Sequence, residues 1–309
     1  MKTTNNKLFQ LFSVVGSLAI FLIFIGCNKE ESAFKKPMND TSGDFRHLFT
    51  SGVPEMTEAD LAPYPILSIE EYQRKYGSPE KTLPSSVNLP TPPVGNQGSD
   101  GACVGWGVGY ACHSILRYMN NTVHQSQWSG ARRSPAYIYN QIKLGSCGAG
   151  SYPYDAFNLA VSQGECSETQ MPYAAGQCYT QPSTQQRNYA AGRKLSAWYR
   201  VNERSTADIK YYLSQNLPVP VCFSVNSSFF NIYQTNYTWN SLYGNAQGGH
   251  CVCLVGYDDA TQRFKVMNSW GSGWGVGGFF YISYNNIANG CLNFAGIGIA
   301  NPGANAPQQ

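Results

Sequence analysis

Hydrophobic and polar positions divide the chain into three stretches of different character. An apolar run extends from Leu8 to Ile25 behind Lys2 and Lys7. Residues 28–82 are polar, punctuated by proline and weakly periodic, which reads as a tether or short prosegment with one amphipathic piece around Ile69 to Tyr76. From about Leu83 the pattern tightens into folded elements. After residue 103, Val104, Val108, Ala111, Ile115 and Leu116 recur at helical spacing, so a buried helix is expected there despite Gly105, Gly107 and Gly109. "SPAYIYNQIK" predicts a helix with Ser134 as N-cap and Pro135 in its first turn. "YPYDAFNLAVSQG" predicts a helix stopped at Gly164, and "STADIKYYLSQN" predicts another. The second half changes period: "PVPVCFSV", "HCVCLVGYDD", "RFKVMNSW" and "GGFFYISYN" are short β-rich runs separated by Gly, Asn and Asp. Helices first and strands second is an α+β arrangement.

Composition narrows the function classes. The chain has 309 residues, 42% of them hydrophobic, 14% aromatic and only 13% charged, with a formal net charge of +3. That is a folded protein, with no basic block to follow a nucleic-acid backbone, so nucleic acid is set aside as a partner.

The apolar N-terminal run ends in Gly26 and Cys27, and its flanks are those of an export signal. "FIGC" at 24–27 resembles a bacterial lipobox, in which cleavage precedes a lipidated cysteine. Residues 1–26 are then the signal peptide and Cys27 the lipidation site. The alternative is a plain transmembrane anchor, since 18 residues can just span a bilayer. The polar "NKEES" that follows favours the lipoprotein, and it resembles signals for the outer membrane and its outer face. Export implies an oxidising compartment. Of ten cysteines, eight remain after Cys27 and Cys103, and Cys147, Cys166 and Cys178, in one loop-rich region, are the first candidates for a bridge. Cys251 and Cys253 read as small buried hydrophobes of a strand.

The chemistry centres on Cys103. A thiol attacks a carbonyl as thiolate, and a helix N-terminus or a neighbouring imidazolium lowers its pKa. Cys103 stands where the turn "NQGSDGAC" feeds a helix. Four histidines are available. His47 lies in the tether, His113 about 15 Å along the same helix, and His124 in the polar loop beyond it. His250, 147 residues downstream and opening an apolar strand, is the remaining partner. Asn268 ends the next strand, and antiparallel strands joined by a short turn bring the two together, so that an amide oxygen fixes the imidazole tautomer. Gln97 supplies a side-chain amide beside the Cys103 N–H for the developing oxyanion.

"NQGSDGACVGW", "GGHCVCLVGYD" and "VMNSWGSGWGVGGFFYIS" resemble, in order and spacing, the three signature blocks of papain-family cysteine peptidases. The resemblance covers about Leu83 to Ala300. It implies a papain-like α+β fold of two subdomains, a helical N-terminal half and a β-barrel-like C-terminal half with the cleft between them. It also implies Cys103 as nucleophile, His250 as acid/base, Asn268 as orienter, Gln97 in the oxyanion hole and Trp270 as a shield over the His–Asn bond. The segment "CGAGSYPYDAF" matches the substrate-binding edge, with Gly150 or Ser151 pairing the substrate backbone and Tyr152 and Pro153 walling a pocket for an apolar side chain. A peptidase of this kind, acting on peptides or proteins as a monomer, needs no metal or organic cofactor. The sequence departs from the family at Asp100, where a bridging cysteine is usual, so Cys147 is expected to pair elsewhere. An acid there raises the pKa of Cys103 if it faces the thiol. Val104 and Gly249 also replace the usual Trp and Asp or Asn. Two other readings stand beside the peptidase: a transpeptidase or amidase acting on cell-wall peptides, and a non-catalytic surface binding protein. Residues 83–300 form the expected domain and 301–309 a flexible tail.

Overall fold

The structure, a computed structural model, describes residues 46, 49, 51–77, 82–120 and 128–300. Residues 1–26, read above as a signal peptide, and Cys27, His47, His124 and residues 301–309 lie outside them. No helix among the described residues is long and apolar enough to cross a membrane.

Two short helices precede the expected domain start. Helix α1 (Glu58–Leu61) has a capping box between Thr57 and Asp60. Helix α2 (Ile69–Tyr76) is capped by Ser68 and closed by Gly77 in the left-handed region. The amphipathic piece read from the sequence is this helix. Its surroundings are not those of a loose tether, because Val53, Leu61, Leu67 and Tyr72 are all buried in the main core.

The helix after Cys103 forms as expected but is wound wider. Gly105–His113 is a π-helix, continuing into α3 (Ser114–Met119). It is buried throughout, so its glycines are packing positions. A β-carbon on Gly109 would stand 2.7 Å from Glu165 Oε1 and 2.9 Å from Ile138. Glu165 Oε2 in turn meets His113 Nδ1 at 2.9 Å. Around this helix lie α4 (Pro135–Ile142) and α5 (Pro153–Ser162), with Ser134 capping α4 and Gly164 taking φ +80° beyond α5. Next come α6 (Thr184–Ala191), α7 (Thr206–Ser214), α8 (Ser227–Phe230) and α9 (Tyr284–Ala288).

The strands are β1 (Ser86–Asn88), β2 (Leu195–Arg200), β3 (Val219–Ser224), β4 (Thr238–Trp239), β5 (Gly249–Asp258), β6 (Arg263–Met267), β7 (Phe279–Ser283) and β8 (Phe294–Ala300). They join in one sheet of order β2-β8-β3-β5-β6-β7-β4. Strand β5 is its axis. Residues 249–254 pair with β3, residues 256–258 with β1, and residues 253–258 with β6. The expected barrel is instead an open sheet: among the described residues β2 and β4 do not pair. At one end β4 has only two residues, held parallel to β7, and at the other β2 meets just the isolated bridge of Ile66 with Arg200.

Candidate active site

Cys103 lies two residues before the π-helix, in the helical turn that leads into it, and is fully buried. Burial pushes its thiol pKa up, while N–H groups of Cys251, Val104 and Cys103 itself pull the other way. His250 is the second residue of β5, and Asn268 follows the last residue of β6. The β5–β6 pairing sets Cys253 opposite Met267, which brings the two side chains within reach. His250 Nε2 lies 2.8 Å from Asn268 Oδ1. An amide oxygen only accepts, so Nε2 carries the proton and Nδ1 holds the free lone pair. Among the described residues Nδ1 has no hydrogen-bond partner. The Trp270 ring lies over the imidazole at 4.8 Å between centroids, and Phe223 meets it edge-on at 5.7 Å. Burial brings the pKa of His250 down to about 4, against the opposing bond to Asn268. Thiol and imidazole are therefore both neutral at pH 7 in this conformation.

Gln97 is fully buried, and its amide is aimed by three contacts. Its Oε1 accepts from Ser269 Oγ at 2.7 Å, its Nε2 donates to the Asp100 carbonyl at 2.9 Å, and its backbone N–H donates to Ser269 O at 2.8 Å. The second Nε2 hydrogen remains for a ligand. A further bond, Gly271 N–H to Gly95 O at 2.9 Å, ties the nucleophile turn to the Asn268–Trp270 block. Ser269, which holds Gln97 through its hydroxyl and its carbonyl, is not singled out by the sequence, although it stands inside the block "VMNSWGSGWG".

Asp100 does not face the thiol. Its carboxylate accepts from Gly176 N–H at 3.0 Å and from Tyr173 O–H at 3.2 Å, tying the nucleophile turn to the 173–176 loop. The disulfide of the region joins Cys147 to Cys178, next to that loop, and Gly101 N–H donates to Cys147 O at 2.8 Å. A carboxylate and a relocated disulfide hold this corner together. Cys166, Cys251 and Cys253 are free and buried.

The cleft is filled by the chain itself. Gly52 and Val53 N–H both donate to Gly249 O, at 3.0 and 3.2 Å. Ser151 N–H donates to Gly52 O at 3.0 Å, and Gly249 N–H to Ser51 Oγ at 3.1 Å. Between Gly150 and Ser151, it is thus Ser151 that pairs a backbone in the cleft. Gly150 lies so close that a β-carbon there would meet the Gly52 carbonyl at 2.7 Å. The ring of Phe49 approaches His250 and Trp270 edge-on, with centroids 6.3 and 6.4 Å away. Tyr152, half-buried, and Pro153, buried, follow at the start of α5. Sequence reasoning missed this strap, because nothing local in "FTSGVPEM" marks it as a cleft ligand.

Known proteins place this geometry. The model of the papain family cysteine protease matches residues 88–298. A cysteine protease of Blomia tropicalis is 25% identical over 209 residues, 65% of this chain and 60% of that protein. The gamete and mating-type specific protein A of Dictyostelium discoideum is 28% identical over 200 residues, 63% of this chain and 41% of its own. The chain thus spans about half the length of such relatives. In fold it is similar to xylellain, a cysteine protease from Xylella fastidiosa, with a TM-score of 0.63 at 23% identity over 81% of this chain and 95% of the other. It is also similar to procathepsin B S9 from Trypanosoma congolense, with a TM-score of 0.60 at 21% identity over 82% and 87%. With two-thirds of its length under the family model and the thiol, imidazole and amide groups assembled around one cleft, the chain belongs to the papain family of cysteine proteases.

Proposed function

We propose that the protein is a cysteine peptidase that cuts peptide bonds within polypeptide chains and is made as a lipoprotein, the lipid on Cys27 holding the uncut chain at the cell envelope. The observation that carries the reading is the 2.8 Å bond from His250 Nε2 to Asn268 Oδ1, which leaves a basic Nδ1 in a cleft that also holds Cys103. In the reaction Nδ1 takes the thiol proton and the thiolate adds to the substrate carbonyl. The N–H of Cys103 and the Nε2–H of Gln97 hold the oxyanion. The imidazolium then returns the proton to the leaving amine, and water hydrolyses the thioester. Ser151 takes the substrate backbone, and Tyr152 and Pro153 wall the adjoining pocket. Trp270 keeps water from the His250–Asn268 bond.

The path of the strap supports an endopeptidase. Phe49 lies beside Trp270 while Gly52 and Val53 bond at Gly249, so residues of the strap occupy the cleft on both sides of the Cys103 thiol. Space for chain on both sides is what an internal cut requires. The same strap leaves no room for substrate, so activity requires its departure.

Soluble protein from Asn28 onward, given a peptide library, is expected to produce internal cuts. Trimming from one end overturns the endopeptidase reading, and ligated products move it to a transpeptidase. Cys103→Ala should abolish hydrolysis and labelling by an epoxide thiol probe with the circular dichroism unchanged; undiminished activity would overturn the mechanism. Globomycin-sensitive processing, lost in Cys27→Ala, tests the lipid, and surface protease accessibility tests the outer face of the outer membrane.

A further inference from the structure

The segment upstream of the expected domain start consists of two parts with different attachments. Ser51–Val53 is held in the cleft by backbone bonds and a serine hydroxyl, and Ser51 itself is exposed. Thr57–Gly77 is instead built into the core. Leu61 is 4% exposed, Leu67 2% and Tyr72 9%. Leu67 is bonded through both of its backbone groups, its N–H donating to Arg200 O at 3.0 Å and its carbonyl accepting from Tyr212 O–H at 2.8 Å. Leu61 O accepts from Arg200 Nη1 at 3.3 Å. The Tyr64 ring lies between Tyr154 and Trp198, at 5.3 and 4.8 Å, and its hydroxyl accepts from Asn158 Nδ2 at 3.0 Å. Tyr72 meets Tyr211 and Tyr212 edge-on. Ile66 extends β2 by a parallel bridge to Arg200, covering the edge that β8 leaves open.

Removing Thr57–Gly77 would therefore uncover apolar surface, strand-edge groups and the Arg200 guanidinium together. Removing the strap uncovers the cleft. Pro54, Glu55 and Met56, between the two, lie outside helix and strand, and Glu55 is exposed.

We propose that Thr57–Gly77 is a permanent part of the working peptidase, and that activation cuts the chain within Pro54–Met56 and releases only what precedes it. The cut is a hydrolysis: water adds across one peptide bond, leaving a carboxylate on the strap fragment and an amine as the new N-terminus. The boundary thus moves from about Leu83 to about Thr57. Because Cys27 lies upstream, a lipid on it stays with the strap fragment and the peptidase leaves the membrane. The proposal rests on the peptidase reading for its activity and on packing for its boundary.

Two versions of the full soluble chain test it, one with a recognition sequence for a specific serine protease at residues 54–56, the other with the same sequence between Gly77 and Thr82. Cutting at 54–56 should raise hydrolysis and epoxide labelling at least tenfold. Cutting between Gly77 and Thr82 should leave both unchanged, with the upstream fragment co-eluting in native gel filtration. Separation of that fragment, or activation by the second cut, overturns the proposal. Retention is read by mass and does not depend on catalysis; a retained fragment with no hydrolysis after either cut would reject the peptidase reading and leave the boundary standing. In the form cut at 54–56, Leu67→Ala should lower the melting temperature by at least ~5 °C; an unchanged melt also overturns the proposal.

Discussion

Gly52 stands against the Cys103 thiol so closely that a β-carbon on it would lie 2.4 Å from Sγ and 2.7 Å from the Gly101 carbonyl oxygen. Only a residue without a side chain passes this point of the cleft, and the strap has one there. The same contact keeps water from thiol and imidazole, which accounts for the neutral state of both.

Gly52→Ala should therefore loosen the strap. Overpacking of this kind costs about 1–3 kcal/mol, which corresponds to an increase of roughly 5- to 150-fold in the strap-open population. The second-order rate of epoxide labelling of the uncut chain at pH 7 should rise by that factor. An unchanged rate would mean that the strap does not govern access to Cys103.

The strap should also be sensitive to pH, with a definite sign. His250 has its pKa lowered to about 4 in the strapped state, from 6.5 in water. Above pH 6.5 the ring is neutral in either state and the shift costs nothing. As pH falls from 6.5 to 4, any state that returns the ring to water gains a proton that the strapped state refuses, so strapping is disfavoured by up to about 3 kcal/mol. Cys103 acts at the other end. Its raised pKa makes the strapped state lose stability as pH climbs above the ordinary thiol value. Proton NMR should find the His250 imidazole still neutral at pH 5.5 in the uncut chain, and activation should accelerate between pH 6 and 4. Acceleration in the opposite direction would contradict the burial argument.

In strap-free enzyme, Asn268→Ala should lower kcat by about 10²–10⁴, because the imidazole loses the acceptor that fixes its tautomer. Gln97→Ala should cost about 10²–10³ in kcat with KM little changed. Ser269→Ala frees Gln97 Oε1 from its donor and should cost roughly tenfold in kcat. Steady-state kinetics on one peptide compares the three, and a Ser269→Ala effect confined to KM would remove its positioning role.

Asp100 and the disulfide should act on stability. Cys147→Ser with Cys178→Ser opens a cross-link spanning 31 residues and should destabilise by about 3–4 kcal/mol. Asp100→Asn weakens charge-assisted bonds to Gly176 and Tyr173 and should destabilise by about 1–3 kcal/mol. Denaturant unfolding measures both. The pH profile of Cys103 labelling should not move in Asp100→Asn; a shift would show the carboxylate acting on the thiol after all.

Much of this was legible in the chain. Ser134 and Pro135, Ser68 and Gly77 start or stop helices through bonds made within a few residues, so those helices lie where the pattern predicts. Strands β3, β5, β6 and β7 announce themselves by apolar runs between turn residues. Strand β8 does not, because "FAGIGIA" has the glycines of a turn and is extended only through its pairing with β2 and β3.

By itself, then, the sequence singled out Cys103, His250, Asn268 and Gln97 as the candidate reactive groups, because each sits in a short block whose residue types suit that chemistry. Tertiary structure alone decided that Ser151 pairs a backbone in the cleft, that Asp100 turns from the thiol to the 173–176 loop, and that Cys147 joins Cys178. It also decided that Gly52, about fifty residues before the nucleophile, closes the cleft. These four depend on groups distant in sequence meeting across packed elements, and no periodicity or cap within a window of a few residues records where those groups will stand.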